Sequence, residues 1–362
     1  MKRMPRSWSL VVSGMLIAGA PAALASGAGA APAPAGTRAA PGKTPDLKVL
    51  RRIPIGGEGG WDCLTMDAAS HRLFVTHGTR VVVVDVATDS IRGEIPDTPG
   101  VHDVALAHDI GRGFTSNGRD SSVSVFDLAT LAPVARIKLP ARNPDIILYD
   151  PASGRVFTFN GGSATATAID ARADTVVGSI PLGGKPEFAV VDGAGLLFVN
   201  IEDSSAVVQL DTRSLKPMAR WSLAPGEEPT GLALDAAHHR LFAACSNKKL
   251  IVMDSQNGRI VSDIPIGDGV DGAAFDARRG LVFTSNGEGS LSVIREETPD
   301  RFTPVQTVTT ERGARTIAVD ESTGMVYVVT ADFGPAPAPT PDRPHPRPSI
   351  VPGTFRVLAI GS

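Results

Sequence analysis

The chain has 362 residues, of which 42% are hydrophobic and 20% are charged, with 38 glycines and 29 prolines. This composition is typical of a soluble, turn-rich globular protein. The net charge of −3 supplies no basic field, which argues against nucleic acid as a partner.

The first 25 residues are organised like a secretory signal peptide. Basic residues among the first six precede an apolar run from Leu10 to Ala20, and small residues follow at 23–25. The run is shorter than the ~20 apolar residues that a membrane-spanning helix needs. We therefore expect cleavage, export to the periplasm or beyond, and no membrane span in the mature protein; an uncleaved anchor is the alternative. Residues 26–45, mostly Ala, Pro and Gly, predict a disordered tether.

From residue 46 onwards one pattern is repeated seven times. One aromatic residue per copy recurs at spacings of 40 to 44 residues, at Phe74, Phe114, Phe157, Phe198, Phe242, Phe283 and Tyr327. A second marker, an aspartate that ends a strand, recurs at Asp85, Asp127, Asp170, Asp211 and Asp254. This period predicts the blades of a β-propeller. We expect residues 46–362 to form one all-β, seven-bladed propeller with four antiparallel strands per blade.

The first repeat shows the four strands that we expect in each blade. Leu64–Met66 is predicted to be the innermost strand, Leu73–Thr76 the second, Arg80–Asp85 the third and Ser90–Ile95 the outer one. Three Asn-Gly pairs follow second strands in other repeats, and this pair is the strongest short hairpin signal. The pattern therefore predicts tight turns at Asn117, Asn160 and Asn286, with turn formation as the plain explanation of these asparagines.

The seventh repeat lacks an outer strand of its own. Its predicted strands are Thr316–Val319, Met325–Thr330 and Thr354–Ile360, and residues 331–353 form a long loop with a Pro-rich run at 335–352. Residues Leu47–Ile55 match an outer strand, so we expect them to complete the last blade and remove the exposed edges of the ring. The Pro-rich loop is interpreted as a stiff lid over blade seven or as a segment for gating or docking.

The two cysteines, Cys63 and Cys245, fall in the first and fifth repeats. Blades one and five of seven are too far apart for a disulfide. Both are predicted to be small buried residues.

The residues that begin the inner strands carry charge. Aligned copies place one set of residues at an equivalent position: Asp62, Asp103, Asp145, Glu187, Thr230, Asp271 and Arg315. In the second copy this alignment matches His108 to the aspartate that ends the other inner strands. Five of the seven are carboxylates, which predicts an acidic ring at one mouth of the central channel.

A ring of carboxylates requires a compensating positive charge, since crowded acids raise one another's pKa. Ca²⁺ takes six to eight oxygen ligands and is one candidate, with Asp62, Asp103, Asp145, Glu187 and Asp271 as candidate metal ligands. An amine or a basic peptide is another. The alternative is a ring that holds only water, with its carboxylates capping backbone N–H groups.

Hairpin and loop residues are expected to surround this ring. The candidate ligand-binding residues beyond the ring are Trp61, His77, His102, Asn117, Asn160, Asn200, Glu202, Asn247, Asn286, Glu288 and Asp332. His77 and His102 lie in adjacent repeats, yet the sequence shows no third ligand at zinc-site spacing, which argues against zinc.

The third repeat carries a family resemblance. Its third strand ends in Ile169-Asp170, Ile-Pro-Leu-Gly follows at residues 180–183, and the next inner strand ends at Asp192. This phrase resembles the YVTN-type propeller repeat, and residues 46–362 are similar to YncE-like exported propellers. Residues 57–67 and 331–341 are the most individual stretches. The resemblance implies an exported propeller without an established reaction; DNA binding is a suggested family activity, against which the acidic balance argues.

Two functional classes remain. The first is an exported binding or interaction protein, predicted to be a monomer, whose partner is a cation, a small ligand or a protein. The second is a metal-assisted hydrolase or lactonase, by analogy with other propellers. The chain contains neither a Gly-x-Ser-x-Gly nor a Cys-x-x-Cys-His motif, so these particular hydrolase and haem signatures are absent.

Overall fold

A computed structural model describes residues 46–338 and 348–362. The predicted signal peptide and tether, residues 1–45, lie outside the described residues. Seven four-stranded antiparallel sheets are arranged in a ring, which confirms the seven-bladed propeller. Across the described residues, no helix has the length and apolar character needed to cross a membrane.

The strands follow one another blade by blade. Strand β1 (Lys48–Pro54) precedes blade one in the chain and belongs to blade seven. Blade one contains β2 (Trp61–Asp67), β3 (Arg72–His77), β4 (Arg80–Asp85) and β5 (Ser90–Ile95); blade two contains β6 (Val101–Ala107), β7 (Arg112–Asn117), β8 (Ser122–Asp127) and β9 (Pro133–Lys138); blade three contains β10 (Pro144–Asp150), β11 (Arg155–Asn160), β12 (Thr165–Asp170) and β13 (Thr175–Pro181). Blade four contains β14 (Pro186–Val191), β15 (Leu196–Ile201), β16 (Ala206–Asp211) and β17 (Lys216–Ser222); blade five contains β18 (Pro229–Asp235), β19 (Arg240–Cys245), β20 (Lys249–Asp254) and β21 (Ile260–Pro265). Blade six contains β22 (Val270–Asp276), β23 (Leu281–Asn286), β24 (Ser290–Thr298) and β25 (Arg301–Thr309); blade seven contains β26 (Ile317–Asp320), β27 (Met325–Thr330) and β28 (Arg356–Gly361). Two 3₁₀ helices lie at His108–Ile110 and Glu202–Ser204.

Burial explains why the sequence alternates in some strands and not in others. In β4, all four consecutive valines of Val81–Val84 are buried, because neighbouring blades cover both faces of the sheet. The outer strand β13 instead alternates between exposed and less exposed residues along Thr175–Pro181, because one face meets solvent. The predicted strand types of the first repeat are confirmed, and its innermost strand extends further than predicted.

The repeated aromatic residue fills the space between blades. All seven members, from Phe74 to Tyr327, are at most 1% exposed. Phe157, for example, packs with Leu197 and Val199 of the following blade. Since aromatic side chains bury the largest areas, this one position contributes heavily to each blade contact.

Strand β1 closes the ring as predicted. It pairs antiparallel with β28, from Lys48 opposite Gly361 to Pro54 opposite Arg356. The last blade is therefore ordered β1, β28, β27, β26. Ile53 is buried in its core.

The predicted Asn-Gly tight turns are wrong. Asn117 is the last paired residue of β7, opposite Ser122, so four residues form the turn. Positive φ occurs at Ser121, and the corresponding residue in blade three is Ala164. The asparagine side chains bond within the sheet instead, which explains their presence without turn chemistry. The two cysteines are free and buried, as expected.

The long loop of blade seven begins and ends as a narrow ladder. Phe333 bridges Ile350, the Gly334 N–H donates to the Ser349 carbonyl, and the Val351 N–H donates to the Asp332 carbonyl. This ladder extends the hairpin of β27 and β28 on the side of the propeller where the inner strands begin.

Candidate functional site

Strand register defines the ring at the mouth of the channel. Trp61 pairs with His77 in blade one, Val101 with Asn117 in blade two, and Pro144 with Asn160 in blade three. In each of these pairs, the residue that follows the inner-strand partner lies at the channel mouth. By this register the ring consists of Asp62, His102, Asp145, Glu187, Thr230, Asp271 and Arg315.

The sequence alignment of blade two was therefore wrong by one residue. Ala107 pairs with Arg112 at the end of the inner strand, as Asp67 pairs with Arg72 in blade one. A 3₁₀ turn begins at His108, so the aspartate that ends other inner strands has no counterpart in this blade. Without that marker the alignment placed Asp103, and not His102, in the ring.

His102 joins carboxylates from the blades on both sides of its own. Its Nδ1 lies 2.6 Å from Asp62 Oδ2 and 3.5 Å from Asp145 Oδ1. One donor atom from each of the three residues lies within 4.8 Å of the other two. Burial lowers the pKa of His102, but the hydrogen bond to Asp62 and the charge of Asp145 outweigh it and raise the pKa to about 9. The imidazole is therefore cationic at neutral pH.

Asp103 lies one residue deeper, in the wall between blades. Its carboxylate accepts the backbone N–H groups of Val104 at 2.8 Å and Ile147 at 3.2 Å. The Thr65 hydroxyl from blade one also approaches it, at 3.4 Å. Burial, with a smaller contribution from Asp62 and Asp145, raises its pKa to about 7 against the lowering effect of those N–H groups. Asp103 supports the ring from behind.

Glu187 is paired with a lysine that precedes it by two residues. Lys185 Nζ lies 2.7 Å from Glu187 Oε1 and also contacts Glu202. Burial raises the pKa of Glu187 to about 7, although Lys185 opposes this shift. Lys185 was missed by the sequence argument, yet it stands two residues before the ring, where Gly60, Gly100 and Gly269 stand in other blades. The sequence signal that could have identified Lys185 is a charged residue at a repeat position that is glycine in several other blades.

The other side of the ring contains the Asp271–Arg315 pair. Arg315 Nε lies 2.6 Å from Asp271 Oδ2. Burial opposes the charge of Arg315, but Asp271 outweighs it and raises the pKa of the guanidinium. Lys185, His102 and Arg315 therefore each neutralise part of the acidic ring. Within the ring, two carboxylates and an imidazole nitrogen come together in the Asp62–His102–Asp145 group.

The predicted asparagine ligands lie inside the blades. Asn117 is fully buried, and its Nδ2 donates to Ser122 Oγ and Ser124 Oγ at 3.1 and 3.0 Å. Asn160 and Asn286 make the same kind of bonds to hydroxyls of their third strands. Asn200 is also buried, and it donates to the Thr230 and Gly231 carbonyls. These side chains hold strands together behind the mouth.

The remaining predicted residues lie in surrounding loops. Asn247 bonds Glu227 N and the Pro225 carbonyl. Glu288 accepts from Ser290 Oγ, and Asp332 pairs with Arg356. The structure does not bring these three side chains into the Asp62–His102–Asp145 group.

Trp61 and His77 belong to an aromatic cluster beside the ring. Trp61 stacks on Phe355 at 5.2 Å between ring centroids, and His77 stacks on the same ring at 4.4 Å. Trp61 also lines a cavity of about 410 Å³ with Phe333, Arg312 and Arg315. Trp61 Nε1 and His77 Nε2 are buried without a hydrogen-bond partner in the parts of the chain described. Burial, followed by the charge of Arg80, lowers the pKa of His77.

Comparison with known proteins gives the fold. No protein-family model matches the chain. No curated protein matches it by sequence. Among solved structures, a hydrazine synthase chain from Kuenenia stuttgartiensis is similar, with a TM-score of 0.65, 16% identity, and coverage of 74% of this chain and 92% of that one. A chain of a mitotic checkpoint complex has a TM-score of 0.68, 12% identity, and coverage of 80% and 91%. At these identities the likeness shows the propeller fold alone.

Proposed function

We propose that the protein is a binding protein whose ligand site is the channel mouth, and that the ligand is a divalent cation held by Asp62, His102 and Asp145. One observation carries this proposal: three donor atoms from three consecutive blades lie within 4.8 Å of one another. Because each residue comes from a different inner strand, the rigid ring fixes their separation. A preformed group of donors loses little conformational freedom on binding. The cation would displace to solvent the proton that Asp62 and Asp145 hold on His102, because a histidine binds a metal in its neutral form.

The donor set favours a first-row transition metal or zinc over calcium. Ca²⁺ prefers six to eight oxygen ligands, whereas one imidazole nitrogen with two carboxylates suits Zn²⁺, Mn²⁺, Co²⁺ or Ni²⁺. Zinc or another first-row metal therefore takes the place of Ca²⁺, which was one of the candidate cations in the sequence analysis. The sequence argument against zinc considered His77 with His102, whereas this site joins His102 to two carboxylates and does not use His77.

Thermal unfolding in the presence of single metals tests the proposal. A cation that binds only the folded state stabilises it by ~2.7 kcal/mol when its free concentration is 100 times Kd. We expect Tm to rise with Zn²⁺, Mn²⁺ or Co²⁺ and to change less with Ca²⁺ or Mg²⁺. The Asp62→Asn and Asp145→Asn variants should each lose the part of this rise that the mouth contributes, so that their Tm rises less than that of the unmodified protein.

The matched control is Asp268→Asn, which removes a half-exposed carboxylate three residues before the ring in blade six. It should keep the full metal response. Equal responses in all three variants would place the metal elsewhere, and no response in the unmodified protein would refute a metal at the mouth.

A second candidate function is metal-assisted hydrolysis of esters or lactones. It is supported by the ligand count, because three protein ligands leave coordination positions for water and substrate, as in catalytic zinc sites. Purified metal-loaded protein should be assayed with simple lactones and esters. Turnover that disappears in both Asp62→Asn and Asp145→Asn would favour the enzyme, whereas metal binding without turnover would favour the binding protein.

We further propose that the protein belongs to the exported YVTN-type propellers and acts outside the cytoplasm. The organisation of residues 1–25 and the repeat phrase around Asp170 support this proposal. Amino-terminal sequencing of the protein recovered from the periplasmic or secreted fraction tests it. A chain that still begins at Met1 in the cytoplasmic fraction would contradict export.

A further inference from the structure

A second group of donors lies where the inner strand of blade five ends. Asp235 is the last residue of β18, and His238 is in the turn that follows. Glu296 reaches this turn from blade six, because β24 and β25 are nine residues long and continue beyond most strands of the other blades. The channel-mouth ring lies at the start of the inner strands, roughly 20 Å away along a seven-residue strand.

Glu296 occupies a position that is not acidic in the earlier blades. In each of blades one to six, the third-strand residue that pairs with the start of the second strand is followed by a residue whose N–H donates to a carbonyl in the turn between the first two strands. The residues that make this bond are Val86, Leu128, Ala171, Thr212, Ser255 and Glu296. Blade six alone among them has a carboxylate there, and its side chain is only 5% exposed.

The three side chains converge on one point. His238 Nδ1 lies 2.5 Å from Asp235 Oδ2 and 3.5 Å from Glu296 Oε1. One donor atom from each residue lies within 4.8 Å of the others. Glu296 Oε1 is buried and has no hydrogen-bond partner within residues 46–338 and 348–362. A buried acceptor without a donor is costly, and a second carboxylate beside it adds repulsion.

The neighbouring guanidinium is engaged elsewhere. Arg240 donates to the carbonyls of Pro299, His238 and His239 and to the Asp300 carboxylate. It fixes the blade-six hairpin against the blade-five turn and thereby holds Glu296 beside His238. The His238 side chain is 53% exposed, so the group is open to solvent.

We propose that Asp235, His238 and Glu296 form a second site for a divalent cation, of the class that accepts one nitrogen and two oxygen ligands, such as Zn²⁺ or Co²⁺. Asp235 Oδ1 accepts the Ala237 and His238 N–H groups, which fixes this carboxylate while its Oδ2 faces the site. Exposure of His238 leaves room for water as the remaining ligand. The cation would satisfy Glu296 Oε1 and remove the repulsion between the two carboxylates.

The test uses full-length protein carrying His102→Gln, which removes the nitrogen ligand of the mouth. This protein is loaded with Co²⁺ or Zn²⁺ alone, passed through a desalting column and analysed for bound metal per chain. We expect one equivalent. Adding Glu296→Thr should abolish it, and so should His238→Gln. Glu296→Thr should fold, because Thr212 occupies the equivalent position in blade four.

The matched control is His239→Asn, which changes the adjacent histidine of the same turn and should retain the metal. If the His102→Gln protein bound no metal, the proposal would be overturned, and Asp235 and Glu296 would share only a proton. Equal metal binding with and without Glu296→Thr would also overturn it. Failure of the mouth site has a different signature, since the unmodified and His102→Gln proteins would then bind equal amounts of metal.

Discussion

His102 Nδ1 lies 2.6 Å from Asp62 Oδ2, across the boundary between blades one and two. The same nitrogen is 3.5 Å from Asp145 Oδ1 in blade three, so one imidazole joins three consecutive blades at the mouth. The two carboxylates are held near each other by the positive charge between them. The group is therefore a structural junction as well as a candidate ligand site.

Replacing His102 by alanine should destabilise the metal-free protein. The change leaves Asp62 and Asp145 facing each other without a cation. We expect a loss of about 1–2 kcal/mol, less than the ~3–5 kcal/mol of a fully buried pair, because water reaches this group. Chemical denaturation in the presence of a chelator measures the loss. The control His239→Asn should leave the unfolding midpoint unchanged, and a His102→Ala protein of normal stability would contradict this role.

The buried asparagines should matter for stability and not for metal binding. Asn117→Ala removes an amide that links Thr115, Ser122 and Ser124 within blade two. Leaving those buried groups with fewer partners should cost ~1–3 kcal/mol. Denaturation measures the cost, and the metal-induced rise in Tm should persist. Asn247→Ala is the control: it removes two hydrogen bonds that water can replace, so it should cost less than Asn117→Ala. If folded Asn117→Ala protein no longer responded to the metal, Asn117 would have to take part in metal binding.

The fold was accessible from the sequence because two markers repeat together. Aromatics such as Phe157 are fixed by packing between blades, and aspartates such as Asp170 by turn hydrogen bonds. Each marker reports a local requirement that every blade shares. The missing outer strand was equally visible, because Ile53 and its neighbours repeat the outer-strand phrase at the other end of the chain.

The site was less accessible, because it depends on register and on contacts between blades. In blade two the aspartate that ends an inner strand is absent, so no marker in the sequence distinguished His102 from Asp103 as the ring residue. Pairing of Lys185 with Glu187 depends on side-chain direction. The Asp235–His238–Glu296 group joins residues from two blades and requires the longer hairpin of blade six. Repeat spacing carries no information about such exceptions.

The repeated aromatic should dominate the stability of each blade contact. Phe157→Ala removes a fully buried ring between blades three and four, and substitutions of this kind cost ~3–5 kcal/mol. Val177 in the outer strand of the same blade is 43% exposed. We expect Val177→Ala to change the free energy of unfolding by no more than about 0.5 kcal/mol. Urea titration of both variants measures the contrast. Similar losses would contradict the packing role of Phe157.

The turn-capping aspartates should make the protein sensitive to acid. Asp170 accepts the N–H groups of Arg172 and Ala173, both at 2.9 Å, and these bonds lower its pKa. Asp127 and Asp211 have lowered pKa values for the same reason. The folded chain therefore retains these carboxylates in ionised form at a pH where the unfolded chain protonates them. Their stabilisation is present above the ordinary pKa of ~3.9 and is lost as the pH falls through the lowered values.

The variant Asp170→Asn tests this linkage, because an amide oxygen still accepts the two N–H groups but does not titrate. Urea midpoints should be compared at neutral pH and at about pH 3, just below the ordinary aspartate pKa. We expect the variant to be less stable at neutral pH and to lose less stability on acidification than the unmodified protein. Equal losses in both proteins would show that Asp170 contributes nothing to the acid sensitivity.

Removing the closing strand should open the ring and make the protein self-associate. Without residues 46–56, the backbone of β28 loses the partners that run from Lys48 to Pro54, and Phe355 loses the two N–H groups that Ile55 and Gly56 donate to it. Leu47 and Ile53 also leave the core, which should cost about 3–6 kcal/mol for two large apolar side chains. An unpaired strand edge then becomes available to other chains.

Light scattering and thermal unfolding of the truncated chain measure both effects, with a lower Tm and a larger mass expected. A synthetic peptide of residues 46–56, added in trans, should restore the monomer and most of the Tm by pairing with β28. The control peptide carries Ile53→Asp, which keeps the backbone donors but places a charge in the blade-seven core. It should restore little, because an unpaired carboxylate is costly to bury. A truncated chain that stays monomeric with an unchanged Tm would show that the ring closes without β1.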